Sequence, residues 1–206
     1  VPEEFKGKWG VKVDDGTVAF GSAYHNWAIS VPYMKASGLT FKDIYNFCDQ
    51  NNMKELAKKA PLHQILLDMV IDHLPNPLDA QASRIPHIWR GDREAPEFKS
   101  MVECDPKGPA VLMVTKIWMD QHAGEIATGR LYSGTVTKGD EMYVVGQPGK
   151  ARIQQVGVYV GADRIPVEKM VAGNIVGLSG IKAAIAGSTV TNKEAMEPFE
   201  RIIHIS

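Results

Sequence analysis

The sequence predicts an α+β chain of more than one part: a helical and α/β segment, then an antiparallel β-barrel. Three observations predict it. Residues 124–135 form a strand pattern broken by glycines at 124, 129 and 134. Twelve of the 19 glycines lie between 124 and 187, where short strand-like runs alternate with turn signals, as in small barrels and sandwiches. Before them, Leu62, Ile65, Leu66, Met69, Val70, His73 and Leu74 recur at helical spacing.

The elements follow in order. Trp9, Val11 and Val13 alternate, Asp15-Gly16 predicts a tight turn, and residues 17–20 predict the return strand of a hairpin. Thr40 is a helix cap with Asp43 in the first turn, and Ile44, Phe47 and Cys48 then share a face. Asn52 caps a short helix over 53–59. A longer helix starts at Pro61, since proline suits a first helical turn, and Pro75-Asn76-Pro77 stops it. Six of the 12 prolines fall between 75 and 109 among many charges, which predicts an extended linker over 79–108. Strands are expected at 110–118, 124–136, 141–145, 152–160 and 174–178, with a last one over 200–206. The parts expected are therefore 1–78, the linker 79–108, and a barrel over 109–206.

Composition narrows the function. The 23 basic and 24 acidic residues leave a net charge of -1, which argues against nucleic-acid binding driven by bulk charge and leaves a local basic patch open. Cys48 and Cys104 form no C-x-x-C pair, and two cysteines make no disulfide framework. That usage fits a reducing, cytoplasmic setting. The apolar runs are too short to span a bilayer. The first residue is Val1 rather than methionine, so a piece of a longer protein is expected.

Catalytic motifs are sparse. Gly7-Lys8 and Gly149-Lys150 lack the preceding glycine and the following hydroxyl of a phosphate loop. Asn192-Lys193-Glu194-Ala195 has alanine where a guanine-reading N-K-x-D motif needs its carboxylate. His63 and His73 are ten residues apart, outside the spacing of helical metal ligands, and Asp68 and Asp72 between them read as a solvated acidic stripe. His87 is expected in the linker and His122 in a turn. Cys48 is expected as a buried structural thiol. Arg130, in a strand after Gly129, suits a carboxylate partner, an RNA phosphate or a moving neighbour domain; Lys138, Lys150 and Arg152 extend a modest positive face.

Several stretches together resemble the archaeal and eukaryotic elongation factor 2 family of translational GTPases. They are Val18-Ala19-Phe20-Gly21-Ser22-Ala23 with Trp27-Ala28, residues 60–70 running into His73-Leu74-Pro75-Asn76-Pro77, the glycine-broken strand 124–135, and Ala172-Gly173-Asn174-Ile175-Val176-Gly177-Leu178. The resemblance implies that residues 1–78 end a P-loop GTPase domain and that 109–206 form the translation-factor barrel that follows it. It implies that Gly21, Ser22 and Ala23 are a guanine-contacting turn in the whole protein, which uses GTP and Mg²⁺. The partners implied are the ribosome, through its RNA and proteins, and indirectly tRNA and mRNA. The phosphate loop, the switches and N-K-x-D are expected to precede Val1, so no GTP is expected on this chain. With most of its sheet elsewhere, the first part is expected to expose apolar faces and self-associate. The alternative is a stand-alone β-barrel that binds RNA or protein without catalysis.

Overall fold

A computed structural model describes residues 7, 10–121, 123–161 and 163–200 of the chain. The chain divides into two units, Val1–Leu74 and Pro75–Ser206.

In the first unit the expected hairpin is displaced. Residues 11 and 12 are not strand, Val11 and Val13 are exposed, and Trp9 lies outside the described residues. Asp15 instead draws its own neighbours into an Asx turn: its Oδ1 accepts from the Thr17 amide at 2.9 Å and from the Thr17 hydroxyl at 2.8 Å. The strand that follows, β1 (Ala19–Ser22), pairs antiparallel with β2 (Trp27–Ser30). Ala28 and Ile29 of β2 are buried and supply the apolar anchor that Val11 and Val13 do not.

Four helices follow. Ser30 caps α1 (Val31–Ser37). Thr40 caps α2 (Phe41–Asp49) in a reciprocal capping box with Asp43; hydrogen bonds from the Thr40 hydroxyl and amide hold the exposed Asp43 carboxyl below its ordinary range. Helix α3 (Met53–Lys59) carries Lys58 and Lys59 at its carboxyl end, where cations suit the helix dipole. Helix α4 (Leu62–His73) follows Pro61 as expected. Ile29, Ile44, Leu56 and Ala60 form the core of the unit. Cys48 is exposed rather than buried, because the buried stripe of α2 is only as wide as Ile44 and Phe47. Ile65 of α4 is buried, but Leu66, Leu67, Val70, Ile71 and Leu74 are each about half exposed or more.

The second unit corrects the expected linker. Pro77 stands at the start of a helix, α5 (Pro77–Ile88), whose N-cap Asn76 accepts the Asp79 amide at 3.0 Å. Pro96 opens another, α6 (Pro96–Val102). Pro86 lies in the last turn of α5 and takes one amide donor out of the helix there. Both helices are anchored on the barrel: Ile85, Trp89 and Met101 pack with Val111, Met113, Tyr132 and Phe199. The prolines therefore initiate helices rather than keep the chain extended.

The strands are β3 (Val111–Asp120), β4 (Gly124–Ser133), β5 (Thr135–Thr137), β6 (Glu141–Val144), β7 (Lys150–Arg152), β8 (Gln155–Val160), β9 (Asp163–Val167), β10 (Lys169–Val171), β11 (Ile175–Ser179) and β12 (Thr189–Thr191). Eight form an antiparallel sheet in the order β7-β6-β12-β3-β4-β11-β8-β9, while β5 pairs with β10. The sheet curls in the manner of a barrel around one core, to which Leu112, Val114, Leu131, Val136, Met142, Ile153, Val156, Val176, Leu178 and Val190 contribute. Gly134, at φ +78, divides the expected strand 124–136 into β4 and β5. Strands β9, β10 and β12, and all of β7 but Arg152, lay beyond the sequence reading. The expected last strand lies, past Glu200, outside the described residues.

Candidate functional site

The chemistry-bearing residues fall into three places. The first is the end of β1. Ser22 closes the strand, and the turn 23–26 returns to β2 with Asn26 at φ +57. The Ser22 hydroxyl accepts the His25 amide at 3.3 Å, and the Ala23 carbonyl accepts the Asn26 amide at 3.2 Å. Gly21 and Ala23 are exposed and Ser22 half-buried. The turn thus presents backbone at the surface of its unit.

The second place is one end of the barrel. Arg152 Nε donates to the Gly139 carbonyl at 3.1 Å, which sets the guanidinium against the turn that carries Lys138. Lys150 bonds to Glu141 at 3.2 Å and lies 5.4 Å from the centre of the Tyr143 ring. The hydrogen bond to Glu141, then Tyr143, raises the Lys150 pKa and keeps the side chain charged. Lys150, Arg152 and Lys182 line a cleft of about 340 Å³. Lys182 was missed from the sequence; it lies in a loop remote in the chain, and nothing local marks it. These four cations, all exposed, offer a surface for anionic partners.

Arg130 does not join them. It is half-buried on β4, its Nη2 donates to the Gly173 carbonyl at 3.3 Å, and its Nε is buried without a hydrogen-bond partner among the described residues. Beside it Cys104 is buried at φ +54, and burial raises its thiol pKa. The thiol is therefore protonated and unreactive at neutral pH.

The remaining candidates have local partners. Asn192 Oδ1 accepts the Ala110 amide at 3.0 Å, and Lys193 pairs with the buried Glu97, so this Asn-Lys pair fastens the barrel to α6. His87 lies on α5, with Nδ1 2.7 Å from the Ser83 carbonyl oxygen; His122 lies outside the described residues. Asp68 and Asp72 are exposed. Among the described residues no three His, Cys, Asp or Glu side chains gather as a metal site, and no helix is long and apolar enough to cross a membrane.

Comparison with known proteins adds a family and relatives. Residues 109–193 match the family described as Elongation factor G domain 2. Over its full length the chain is 57% identical to Elongation factor 2 of Thermococcus onnurineus, 56% identical to that of Methanocaldococcus jannaschii and 58% identical to that of Methanococcus aeolicus. In each case the match covers 100% of this chain and 28% of the relative, so the chain spans little more than a quarter of the length of the proteins it resembles.

Proposed function

We propose, from the premise that this chain is part of a translation elongation factor, that it is the stretch of a ribosomal translocase that joins the nucleotide domain to the docking barrel. The observation that carries the reading is the full-length identity of 56–58% to the elongation factor 2 relatives. Residues 1–78 end the GTP-binding domain of the whole protein, 79–108 connect it as helices packed on the barrel rather than as an extended linker, and 109–206 are the barrel, which sits on the small ribosomal subunit. The whole protein is a cytoplasmic GTP hydrolase that uses Mg²⁺ and advances tRNA and mRNA.

In that reading Gly21, Ser22 and Ala23 present backbone N–H groups to the guanine. The surface turn described above supports this. Lys138, Lys150 and Arg152, with Lys182, meet ribosomal RNA phosphate, supported by their convergence on one end of the barrel. Arg130 serves instead at the junction of the helices and barrel.

Two results are expected. The isolated chain co-sediments with ribosomes in a salt-sensitive way and shows neither GTP hydrolysis nor saturable binding of a fluorescent guanine nucleotide. The sequence has no G-x-x-x-x-G-K-[ST] loop to cradle a triphosphate and hold Mg²⁺, so saturation at micromolar nucleotide overturns the proposed division of labour. Loss of ribosome binding only at high salt agrees with phosphate contacts; no ribosome binding at any salt contradicts the docking role.

The bare face of α4 carries the second. Leu66, Leu67, Val70, Ile71 and Leu74 present an apolar stripe too large for a lone surface helix, and the isolated chain self-associates through it. Sedimentation equilibrium reports dimers or larger species, and Leu67→Glu with Ile71→Lys restores the monomer. A parent chain that stays monomeric at high concentration refutes this.

A further inference from the structure

The outer face of the barrel sheet carries a second cluster, beside a cleft that shares no lining residue with the basic one. Core residues Ala127, Leu131, Val156, Val176 and Leu178 define the inner face. Pairing then sets two rows on the outer face. One runs Trp118, Ile126, Ser179, Gln155; the next runs Lys116, Thr128, Gly177, Gly157. Outer-face residues of a curled sheet ordinarily meet water. Ile126, Thr128 and Ser179 are instead buried.

The cover comes from both hairpins. Two strands, β4 and β11, separate β3 from β8, yet the Trp118 and Tyr159 ring centres lie 6.3 Å apart. The far end of the β3–β4 hairpin therefore folds across the sheet. Beneath it a pair of facing glycines gives the room. A Cβ on Gly157 would lie 3.1 Å from Arg164 Cγ, and one on Gly177 would lie 3.2 Å from Tyr159 Cε2. Arg164 thus lies along the sheet, with Nη2 donating to Gln155 Oε1 at 2.7 Å and Nε 3.8 Å from Asp120 Oδ2. That last distance is an ion pair, not a hydrogen bond.

The polar account does not close. Arg164 Nε and Nη1, the Thr128 hydroxyl and the Ser179 hydroxyl are all buried without a hydrogen-bond partner among the described residues. Buried polar groups without partners are uncommon, and each calls for an explanation: strain, a functional role, or a water or ion that completes it. Of these residues Arg164 lines an open cleft of about 570 Å³, together with Trp118, Met119 and Tyr159. Its charge decides the ligand. Asp120 and Asp163 line the same cleft and offset both Arg164 and Lys116, whose Nζ covers one face of Trp118 at 3.6 Å from the ring centre, so a phosphate gains little there and a stacked group meets the other face. A flat, uncharged group with in-plane acceptors fits both the rings and the N–H donors.

We propose that this cleft takes one unpaired nucleobase of an RNA, stacked on Trp118 and Tyr159 and hydrogen-bonded through its acceptors by Arg164. The step rests on the reading that the chain docks on ribosomal RNA, and it adds a stacking contact to the phosphate contacts at the basic end. Aromatic platforms hold single-stranded bases in this way, with little dependence on which base it is.

The test is anisotropy of a labelled hexaribonucleotide titrated with the 206-residue chain, beside an abasic strand of equal length and charge. The native strand is expected to bind roughly 5- to 100-fold tighter than the abasic one, the range for one stacked base. Trp118→Ala is expected to erase that difference. Trp118→Phe, which keeps a ring and guards against loss of folding, retains part of it. Equal binding of native and abasic strands, an unchanged Trp118→Ala variant, or no binding of either strand overturns the inference. Ribosome co-sedimentation that persists alongside such a result leaves the docking role standing and removes only the nucleobase site.

Discussion

Gly129→Ala is expected to destabilise the barrel by about 3 kcal/mol or more, the range of a core position forced to overpack against backbone. The reason is the corner that β3 turns. Its first residues pair with both β12 and β4, while beyond Val114 it pairs with β4 alone, with a register shift between Val114 and Lys116. At that shift the β3 backbone closes on Gly129. A Cβ there would lie 2.0 Å from the Met113 carbonyl oxygen and 2.9 Å from Val114 Cα. No rotamer relieves a clash with main chain. The Ser188 carbonyl accepts the Val114 amide at 2.9 Å, and the Val114 carbonyl accepts the Gly187 amide at 2.7 Å, so β3 is held from its other side too. Urea unfolding followed by circular dichroism measures the loss. Gly124→Ala is the control: its added Cβ meets nothing within 4 Å, so only the cost of its left-handed backbone, about 1–2 kcal/mol, applies. A Gly129→Ala variant as stable as the control removes the close-approach argument.

What could be read from the sequence was local. The Thr40–Asp43 box, the helix after Pro61 and most strands are set by side chains a few residues apart, and each formed close to where expected. The glycine-broken strand was legible because its glycines stand out by residue type and spacing, although the backbone that Gly129 and Gly134 meet lies in β3 and just before it. Failures came where a distant partner decides. Asp15-Gly16 does turn the chain, but strand pairing needed an apolar partner, and only Ala28 and Ile29 supply one. Pro77 and Pro96 read as breakers because a proline looks the same before a helix as after one; the anchors that settle it, Ile85 and Met101, bury against strands far along the chain. The Trp118–Arg164 cluster was invisible for the same reason. Its members lie about forty residues apart and meet only because one hairpin folds over another.

Gln81 shows how much can hang on one such long-range contact. It is 1% exposed on α5, and its Nε2 donates to the Met101 carbonyl of α6 and, at 2.9 Å, to the Tyr132 carbonyl of β4. One amide thus ties two helices and the sheet. Gln81→Ala takes this donor from both carbonyls, leaving Met101's with the Cys104 amide at 3.3 Å, and opens a cavity; the expected cost is about 2–4 kcal/mol. Gln81→Glu separates the hydrogen bonds from the packing, since shape is kept and the donors are lost. A carboxylate facing two carbonyls in a buried site has its pKa raised above the unfolded value of about 4.3. The folded state then binds the proton more tightly than the unfolded one. Relative to the parent, the variant is therefore least destabilised below that unfolded value, and its stability falls as pH rises towards the raised folded value. Recovery in acid is partial, because a protonated carboxyl donates to only one of the two carbonyls. A Gln81→Glu variant whose deficit against the parent is the same at pH 4 and pH 7 shows that the amide does not act as the donor that binds α5 and α6 to the barrel.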